Sequence, residues 1–204
     1  MIILSLVIAA GVVFPVAPQD TSLELSCLVF SPRTSEADLI ARFGARNVTA
    51  APVIGMDDGA TGGTILFADS PDARAEITWR DSLTKQQLGS VIVRGAATRW
   101  RLRNGVVVGT DLKTLERANA RPFRIAGLST EAQGRVISWA GGALEQDSAS
   151  AGCVAYVHLQ PPSETTENFP LVRQVRSGRE YSSAHPALQA LNPRVVLIRL
   201  SYAR

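Results

Sequence analysis

The stretch Ser35-Glu-Ala-Asp-Leu-Ile-Ala-Arg-Phe-Gly-Ala-Arg-Asn-Val48 returns in related form as Thr110-Asp-Leu-Lys-Thr-Leu-Glu-Arg-Ala-Asn-Ala-Arg-Pro-Phe123. The copies begin with Ser and Thr, which are good helix N-caps because a side-chain oxygen can accept from an N–H of the first turn. They end with Gly44 and Asn119, which tolerate the left-handed conformation of a helix C-cap. Each copy therefore predicts a short capped helix that ends in a turn and leads into strands.

Apolar residues recur within each copy at the spacing of one buried helix face. They are Ala37, Ile40 and Phe43 in the first copy, and Leu112, Leu115 and Ala118 in the second. Asp38 follows Ser35 by three residues, which is the spacing of a capping box. Two Ala-Arg pairs also match at one offset. These matches favour a duplicated unit, although a chance likeness between two amphipathic helices is the alternative.

The composition is that of a globular protein. The chain has 204 residues, which is enough to bury a core in one domain or two small ones. Its hydrophobic fraction is 46% and its charged fraction is 19%, which excludes a disordered chain. The net charge of +3 is too weakly basic to indicate nucleic-acid binding.

The N-terminal segment predicts export from the cytoplasm. Residues 2–16 are almost wholly apolar, and the first charged residue is Asp20. The segment is shorter than the about 20 residues that a membrane-spanning helix needs, and it fits the apolar region of a secretory signal. A buried N-terminal strand is the alternative. We predict a signal peptide at residues 1–19 and a periplasmic or secreted α+β domain at 20–204, without a stable membrane span.

The two cysteines, Cys27 and Cys153, predict a disulfide. An even pair in an oxidising compartment is usually bonded, and the alternative is two separate buried thiols. Glu24 stands where a lipoprotein signal carries an apolar residue, so no lipid anchor is predicted. The cysteines and the two histidines lack the spacing of metal ligands, so no metal site is predicted.

Alternation and turn residues predict an antiparallel sheet. Strands are predicted at Thr64–Phe67, Ala75–Trp79, Ser90–Val93, Arg135–Trp139, Cys153–Leu159 and Arg194–Tyr202, the last of them central because of its long apolar run. The glycine-rich segment Asp57–Gly63 is predicted to be a loop. Gly141-Gly142 predicts a hairpin with Ala143-Leu144 as its second arm. Residues 183–192 predict a short helix capped by Ser183.

A basic arm supplies the candidate binding residues. Arg99-Trp-Arg-Leu-Arg103 is followed by Asn104-Gly105, a strong hairpin signal, and then by three valines. Strand alternation places Trp100 on one side of the arm and three arginines on the other. The four candidates are Arg99, Trp100, Arg101 and Arg103. A solvated arginine face and a buried tryptophan are the plainer alternatives.

No catalytic motif stands out. The sequence has no Gly-x-Ser-x-Gly, no HExxH, no phosphate-binding loop and no dinucleotide fingerprint. His158 lies in a predicted strand and His185 at a predicted helix start. The sequence therefore predicts a protein without enzymatic activity or cofactor. A periplasmic hydrolase that uses His185 or a pair of carboxylates is the alternative.

The paired motifs also carry a resemblance. Ser35–Val48 and Gly109–Phe123, in a chain with a cysteine pair, resemble the tandem-repeat plan of the β-lactamase inhibitory proteins and of small envelope lipoproteins that help assemble outer-membrane barrels. The chain is also similar to secreted proteins of Gram-negative bacteria to which no activity is assigned. It departs from the plan by lacking a lipid-anchored cysteine and by its extra C-terminal helix and strand.

The resemblance implies an α+β fold of two tandem helix-plus-antiparallel-sheet units, at about 28–108 and 109–204, followed by the C-terminal helix and strand. It implies binding of another envelope or secreted macromolecule, as an inhibitor or assembly factor, through a concave sheet or exposed loops. Nucleic acid is not an expected partner.

Overall fold

The computed structural model describes residues 22–54, 60–128, 134–145, 149–150, 152–163, 165–176 and 178–202. The helices are α1 (Glu36–Phe43), α2 (Leu112–Asn119), α3 (Phe169–Gln174) and α4 (Pro186–Leu191). The strands are β1 (Leu23–Glu24), β2 (Val48–Ile54), β3 (Ala60–Leu66), β4 (Ala75–Asp81), β5 (Gln86–Arg94), β6 (Trp100–Arg101), β7 (Arg124–Ala126), β8 (Val136–Ser138), β9 (Ala149–Ser150), β10 (Cys153–Gln160), β11 (Glu180–Ser182) and β12 (Arg194–Tyr202). The predicted α+β class is confirmed. The predicted signal peptide, 1–19, lies outside the described residues.

A seven-stranded antiparallel sheet forms the centre of the fold, in the order β2-β3-β4-β5-β12-β10-β9. β12 pairs with β5 on one side and with β10 on the other, so its predicted central place is confirmed. A three-stranded sheet, β11-β7-β8, and a parallel pair, β1-β6, complete the strands. One face of the large sheet packs on the helices through Leu39 of α1, Leu115 of α2 and Leu188 of α4, which belong to one hydrophobic core.

The first predicted helix has the expected ends. Ser35 Oγ accepts a hydrogen bond from the Asp38 N–H at 3.3 Å, and the Ser35 N–H donates to Asp38 Oδ2 at 2.9 Å. This capping box satisfies two groups at the helix start, and its hydrogen bonds hold the pKa of Asp38 below the ordinary value. Gly44 ends the helix with a φ of 84°, a conformation that glycine adopts at little cost.

The second helix is displaced by one residue from its predicted position. Its N-cap is Asp111 rather than Thr110, because the Asp111 carboxylate accepts from the Thr114 N–H at 2.9 Å. Its C-cap is Ala120, at a φ of 59°, rather than Asn119. An alignment of the two helices on their caps is therefore shifted by one residue from the alignment of the two sequence copies.

This displacement explains which helix residues are buried. It aligns Leu39 with Leu115, and both side chains are in the core. Leu112 is also buried, as predicted, whereas Ala118 is exposed and Ile40 is 41% exposed. The predicted faces were partly wrong because one residue turns a helix by about 100°.

Asn119 is buried, and its side chain bonds to the segment that the sequence predicts to be a hairpin arm. Its side-chain amide donates to the carbonyl oxygens of Trp139 and Arg121, both at 2.9 Å, and its Oδ1 accepts from the Leu144 N–H at 3.2 Å. The segment after Gly141-Gly142 therefore turns onto α2, and the predicted hairpin arm at Ala143-Leu144 is wrong. A buried amide with these partners joins α2 to the end of β8.

Two further local predictions need correction. β3 begins at Ala60, so the end of the predicted Asp57–Gly63 loop is strand, and a Cβ at Gly63 would lie 2.6 Å from the Ile77 carbonyl oxygen. The other loop residues, 57–59, lie outside the described part. α4 is capped by His185, whose Nδ1 accepts from the Ala187 N–H at 3.2 Å, rather than by Ser183.

The predicted disulfide between Cys27 and Cys153 is present, with a Cα–Cα distance of 5.8 Å. Cys153 pairs with Tyr202 in the sheet, and the Tyr202 hydroxyl donates to the Phe30 carbonyl oxygen at 2.7 Å. Burial raises the pKa of Tyr202 above its ordinary value. Two adjacent anchors thus fix the segment 26–30 against β10 and β12. No helix in the described ranges is long and apolar enough to cross a membrane.

Candidate functional site

The predicted binding tryptophan lies in the core. Trp100 is fully buried, and its Nε1 donates to the Ala73 carbonyl oxygen at 2.6 Å. Phe30 and Phe43 pack on its ring with centroid distances of 5.6 and 6.1 Å. The assignment of Trp100 to a binding surface is therefore wrong, because the apolar side of its arm faces inward and its indole N–H already has a buried partner.

The arginines of the same arm remain at the surface. Arg99 Nε lies 2.9 Å from Asp72 Oδ2, and Arg103 Nε lies 3.7 Å from Glu24 Oε1. Arg101 is exposed in β6. Arg99 and Arg103 thus have acidic partners, which lowers the positive charge that the arm presents to a ligand. The binding role of Arg99, Arg101 and Arg103 stays a prediction.

Ser183 and His185 lie close in sequence but have separate partners. Ser183 is fully buried, and its hydroxyl donates to Glu116 Oε2 and accepts from the Phe123 N–H at 2.9 Å. The Nδ1 of His185 accepts the Ala187 N–H of α4. The serine hydroxyl is therefore directed at a carboxylate and not at an imidazole, unlike the nucleophile and base of a catalytic triad. These contacts hold the turn before α4 against α2 and β7.

Metal ligands do not converge in the described structure. Among the residues that it covers, no group of three or more His, Cys, Asp or Glu side chains is placed to hold a metal ion.

The seven-stranded sheet has a second, polar face, opposite the helices. Directly paired residues of antiparallel strands point to the same face, as do residues two apart along a strand. One row across β5, β12, β10 and the residue before β8 is Arg94, Leu197, His158 and Arg135. The next row, from β4 to β10, is Glu76, Ile92, Arg199 and Tyr156. We call the set Arg74, Glu76, Arg94, Arg135, Tyr156, His158 and Arg199 the arginine face.

The floor of the arginine face is apolar. Ile92 and Leu197 lie between the charged residues of the two rows, and both are buried. Arginine can cover apolar surface with its aliphatic stem while its guanidinium group stays in water. The face therefore combines a hydrophobic base with charged groups at its surface.

Tyr156 positions two of the arginines. The Cζ of Arg135 lies 5.3 Å from the centroid of the Tyr156 ring, and the Cζ of Arg199 lies 5.6 Å from it. A guanidinium group at this distance is attracted by the ring, and the contact limits the rotamers of a flexible side chain. Both guanidinium groups are thereby restrained beside the Tyr156 ring.

The charge of the arginine face is unbalanced. The Glu76 carboxylate lies 3.5 Å from Arg74 Nε and 3.8 Å from Arg94 Nη1. The set contains four arginines and this single carboxylate, so it presents a net positive charge. A nearby anion would be attracted to the face.

His158 lies within this positive charge and is 5% exposed. Burial, which is the largest cause, and the positive charges of Arg199, Arg135 and Arg94 together lower its pKa from 6.5 to about 4. The imidazole is therefore neutral at pH 7. Its Nδ1 is inaccessible to solvent and has no hydrogen-bond partner among the described residues.

The sequence contains part of the signal for this face. Alternation along Cys153–Leu159 places Tyr156 and His158 on one side of a strand, as predicted for His158. The four arginines come from four other segments, and the pairing of β4 with β5, of β12 with β5 and β10, and of Arg135 with His158 brings them together. Comparisons of the chain with protein-family models, with curated proteins and with solved structures found no match, so the interpretation of this surface rests on its own chemistry.

Proposed function

We propose that the protein is a non-enzymatic periplasmic or secreted protein that binds another macromolecule through the arginine face. The observation that carries this proposal is the clustering of four arginines and a tyrosine over an apolar floor. Protein interfaces are enriched in arginine and tyrosine, and charge complementarity steers the encounter of partners. The partner is accordingly an acidic surface of another envelope or secreted protein.

The location rests on the cysteine pair and on the N-terminal sequence. Disulfides form and persist in oxidising compartments, and residues 2–16 have the character of a secretory signal. We expect the protein from its native host to lack residues 1–19 and to carry no free thiol, as measured by mass spectrometry after alkylation. An intact N-terminus on cytoplasmic protein with a reduced Cys27 would refute export.

Binding is tested by capture from envelope extract with matched variants. The double variant Arg94→Gln/Arg135→Gln removes two exposed arginines from the face. The double variant Arg46→Gln/Arg117→Gln removes two exposed arginines that lie outside it and is the charge-matched control. The expected result is a partner that the wild type and the control retain, that the face variant loses, and that high salt releases. The captured partner is then purified and its affinity for the three proteins measured.

Capture that the face variant leaves unchanged would contradict the proposal. Capture of nucleic acid or lipid instead of a protein would contradict the proposed class of partner. The alternative of a hydrolase is tested on the same protein with esterase, peptidase, glycosidase and phosphatase substrates. We expect no turnover, whereas turnover that disappears in a folded His185→Ala variant would replace the binding function with an enzymatic one.

A further inference from the structure

The three-stranded sheet meets the seven-stranded sheet at one narrow contact. Within the described ranges, a single antiparallel bridge pairs the backbones of the two sheets, between Arg135, which precedes β8, and His158 of β10. Beside it, the Leu159 N–H donates to the Gly134 carbonyl oxygen at 3.3 Å, which is long for a backbone hydrogen bond. We call Gly134, Arg135, His158 and Leu159 the sheet junction.

The backbone of the sheet junction is irregular. The pairing of β10 with β12 shifts register between His158 and Leu159, so a bulge lies at the bridge itself. Bulges disrupt a ladder locally and often occur where a strand pairing ends. Gly134 is buried at a φ of 51°, and a Cβ there would lie 2.7 Å from the Leu159 carbonyl oxygen. The two backbones therefore approach closely, but the bridge does not extend into a regular ladder.

The junction also contains a buried imidazole without a hydrogen-bond partner. His158 is 5% exposed, and its Nδ1 has no partner in the part of the chain that the structure describes. Such an atom is uncommon, because leaving a buried polar group unpaired costs free energy. Arg135 is paired directly opposite, and its guanidinium group reaches the ring of Tyr156, two residues before His158 on the same face. The Arg135 side chain therefore lies beside the imidazole.

The charges that act on His158 are positive. Three arginines from neighbouring segments oppose the protonation of its imidazole: Arg199 of β12, Arg135 and Arg94 of β5. The one carboxylate of the arginine face, Glu76 of β4, pairs with Arg74 and Arg94, and Tyr156 is the remaining titratable member of the face. Burial and then the arginines lower the pKa of His158 to about 4. A proton is therefore costly in the closed junction, because a buried charge needs a partner of opposite sign.

We propose that the sheet junction is an acid-sensitive hinge, in which protonation of His158 separates Arg135 from β10 while the rest of the seven-stranded sheet stays paired. Opening lets water reach the imidazole and takes a guanidinium group from its side, so the open junction accepts a proton more easily than the closed one. Acid therefore favours the open junction. This local opening costs less than unfolding, because one bridge is lost while the pairing of β12 with β5 and β10 remains.

The hinge goes beyond the proposed function and does not depend on it. Only its consequence for binding rests on the proposed function: Arg135 belongs to the arginine face, so opening would withdraw one positive charge and weaken the binding of an acidic partner in acid. The hinge is measured on the free protein. Its failure would leave capture of a partner at neutral pH unaffected, and failure of capture would leave the hinge unaffected.

The test is amide hydrogen exchange of the mature protein, followed by NMR between pH 4.5 and 7.5, without urea and in low urea. The amides of Leu159 and Ala126 report on the junction, because they donate to the carbonyl oxygens of Gly134 and Arg135. The amides between β5 and β12 report on the sheet. Rates are corrected for the intrinsic effect of pH on exchange. Exchange through global unfolding depends steeply on urea, whereas exchange through a local opening does not.

We expect the junction amides to exchange faster than the sheet amides and with little dependence on urea. Their opening constant should rise as the pH falls from 7.5 to 4.5, up to a limit of about 70-fold set by pKa values of 6.5 in the open and about 4 in the closed junction. His158→Gln should abolish this rise. Arg135→Gln keeps the backbone bridge but removes one charge, so the rise should be smaller, whereas the control Arg46→Gln should behave as the wild type does.

Junction amides with the same exchange rates and urea dependence as the sheet amides would overturn the hinge, because the two sheets would then separate only on global unfolding. An equal rise in the wild type and in His158→Gln would assign the acid response to other groups and would also overturn it. Circular dichroism shows whether each variant is folded. If His158→Gln does not fold, an undiminished rise in Arg135→Gln overturns the proposal and a smaller rise supports it.

Discussion

At the scale of single residues, Thr64 links the sheet to α1 through a buried chain of hydrogen bonds. The indole Nε1 of Trp79 donates to Thr64 Oγ1 at 2.9 Å, and the Thr64 hydroxyl donates to Glu36 Oε1 at 2.6 Å. Lys85 Nζ donates to the same carboxylate oxygen at 2.8 Å. Each polar group in the chain is satisfied by the next, so the loss of the Thr64 hydroxyl leaves the Trp79 indole N–H without this acceptor and takes one of two donors from Glu36.

We therefore expect Thr64→Val to lower the free energy of unfolding by about 1–3 kcal/mol, because it buries an indole N–H without a partner and removes a donor from Glu36. Urea denaturation followed by tryptophan fluorescence measures the change. Thr64→Ser keeps the hydroxyl and is the control. Equal stability of the valine variant and the wild type would show that these hydrogen bonds contribute nothing to the stability of the fold.

His158 predicts how stability depends on pH. Its pKa in the folded protein is about 4, below the ordinary value of 6.5, so between these values the unfolded chain binds more protons than the folded one. Stability therefore rises with pH from about 4 to 6.5 and is constant above that range, as far as this group is concerned. The difference in pKa gives an upper limit of about 3 kcal/mol.

The measurement is the free energy of unfolding of the wild type and of His158→Gln between pH 4.5 and 7.5, in chloride buffers without oxyanions. The wild type should lose more stability than the variant as the pH falls. Parallel curves for the two proteins would show that His158 is protonated equally easily in the folded and unfolded states.

At the scale of elements, the two eight-residue helices depend on their caps. Isolated helices of this length are marginal in water, so their ends and their buried faces have to stabilise them. Asp111 caps α2 by accepting from the Thr114 N–H, and this bond lowers the pKa of its carboxyl group. The cap lies beside the core residue Leu112.

We expect Asp111→Ala to lower the free energy of unfolding by about 1 kcal/mol, the ordinary effect of losing an N-cap. Asp111→Asn can still accept the same hydrogen bond and should cost much less. Chemical denaturation compares the three proteins. An asparagine variant as unstable as the alanine variant would assign the effect to the charge of Asp111 rather than to its hydrogen bond.

Local chemistry decides which elements were predictable. The caps of α1, the cysteine pair and the alternating strands follow from residues that are close in sequence or few in number. The strand β2 was missed because Pro52 and two alanines are poor strand residues, which an edge strand tolerates. The short helix α3 was not predicted because its sequence lacks a clear repeat of apolar residues at helical spacing. The arginine face was missed because it depends on strand neighbours that are distant in the chain.

At the scale of the whole molecule, the disulfide closes most of the fold into one loop. Cys27 and Cys153 are 126 residues apart in sequence. Cross-links that close long loops restrict the unfolded chain most, and the loop-entropy description gives an upper limit of about 4–5 kcal/mol here. The adjacent hydrogen bond from Tyr202 to Phe30 joins the same part of the chain to the sheet without a covalent bond.

We expect Cys27→Ser/Cys153→Ser to lower the free energy of unfolding by several kcal/mol, up to about 4–5 kcal/mol. Tyr202→Phe removes only the neighbouring hydrogen bond and should cost about 1–3 kcal/mol. Urea denaturation of the oxidised wild type and both variants measures the difference. If Tyr202→Phe were less stable than the double cysteine variant, the hydrogen bond and not the disulfide would be the stronger of the two anchors.

The central place of β12 also sets the order in which the molecule can assemble. The strands β2 to β5 follow one another in the chain, but they reach β10 only through residues 194–202. During synthesis the two parts of the sheet stay separate until those residues have left the ribosome, and pairings so distant in sequence form slowly. The nascent chain therefore cannot complete its tertiary structure until those residues are available to join the two parts of the sheet.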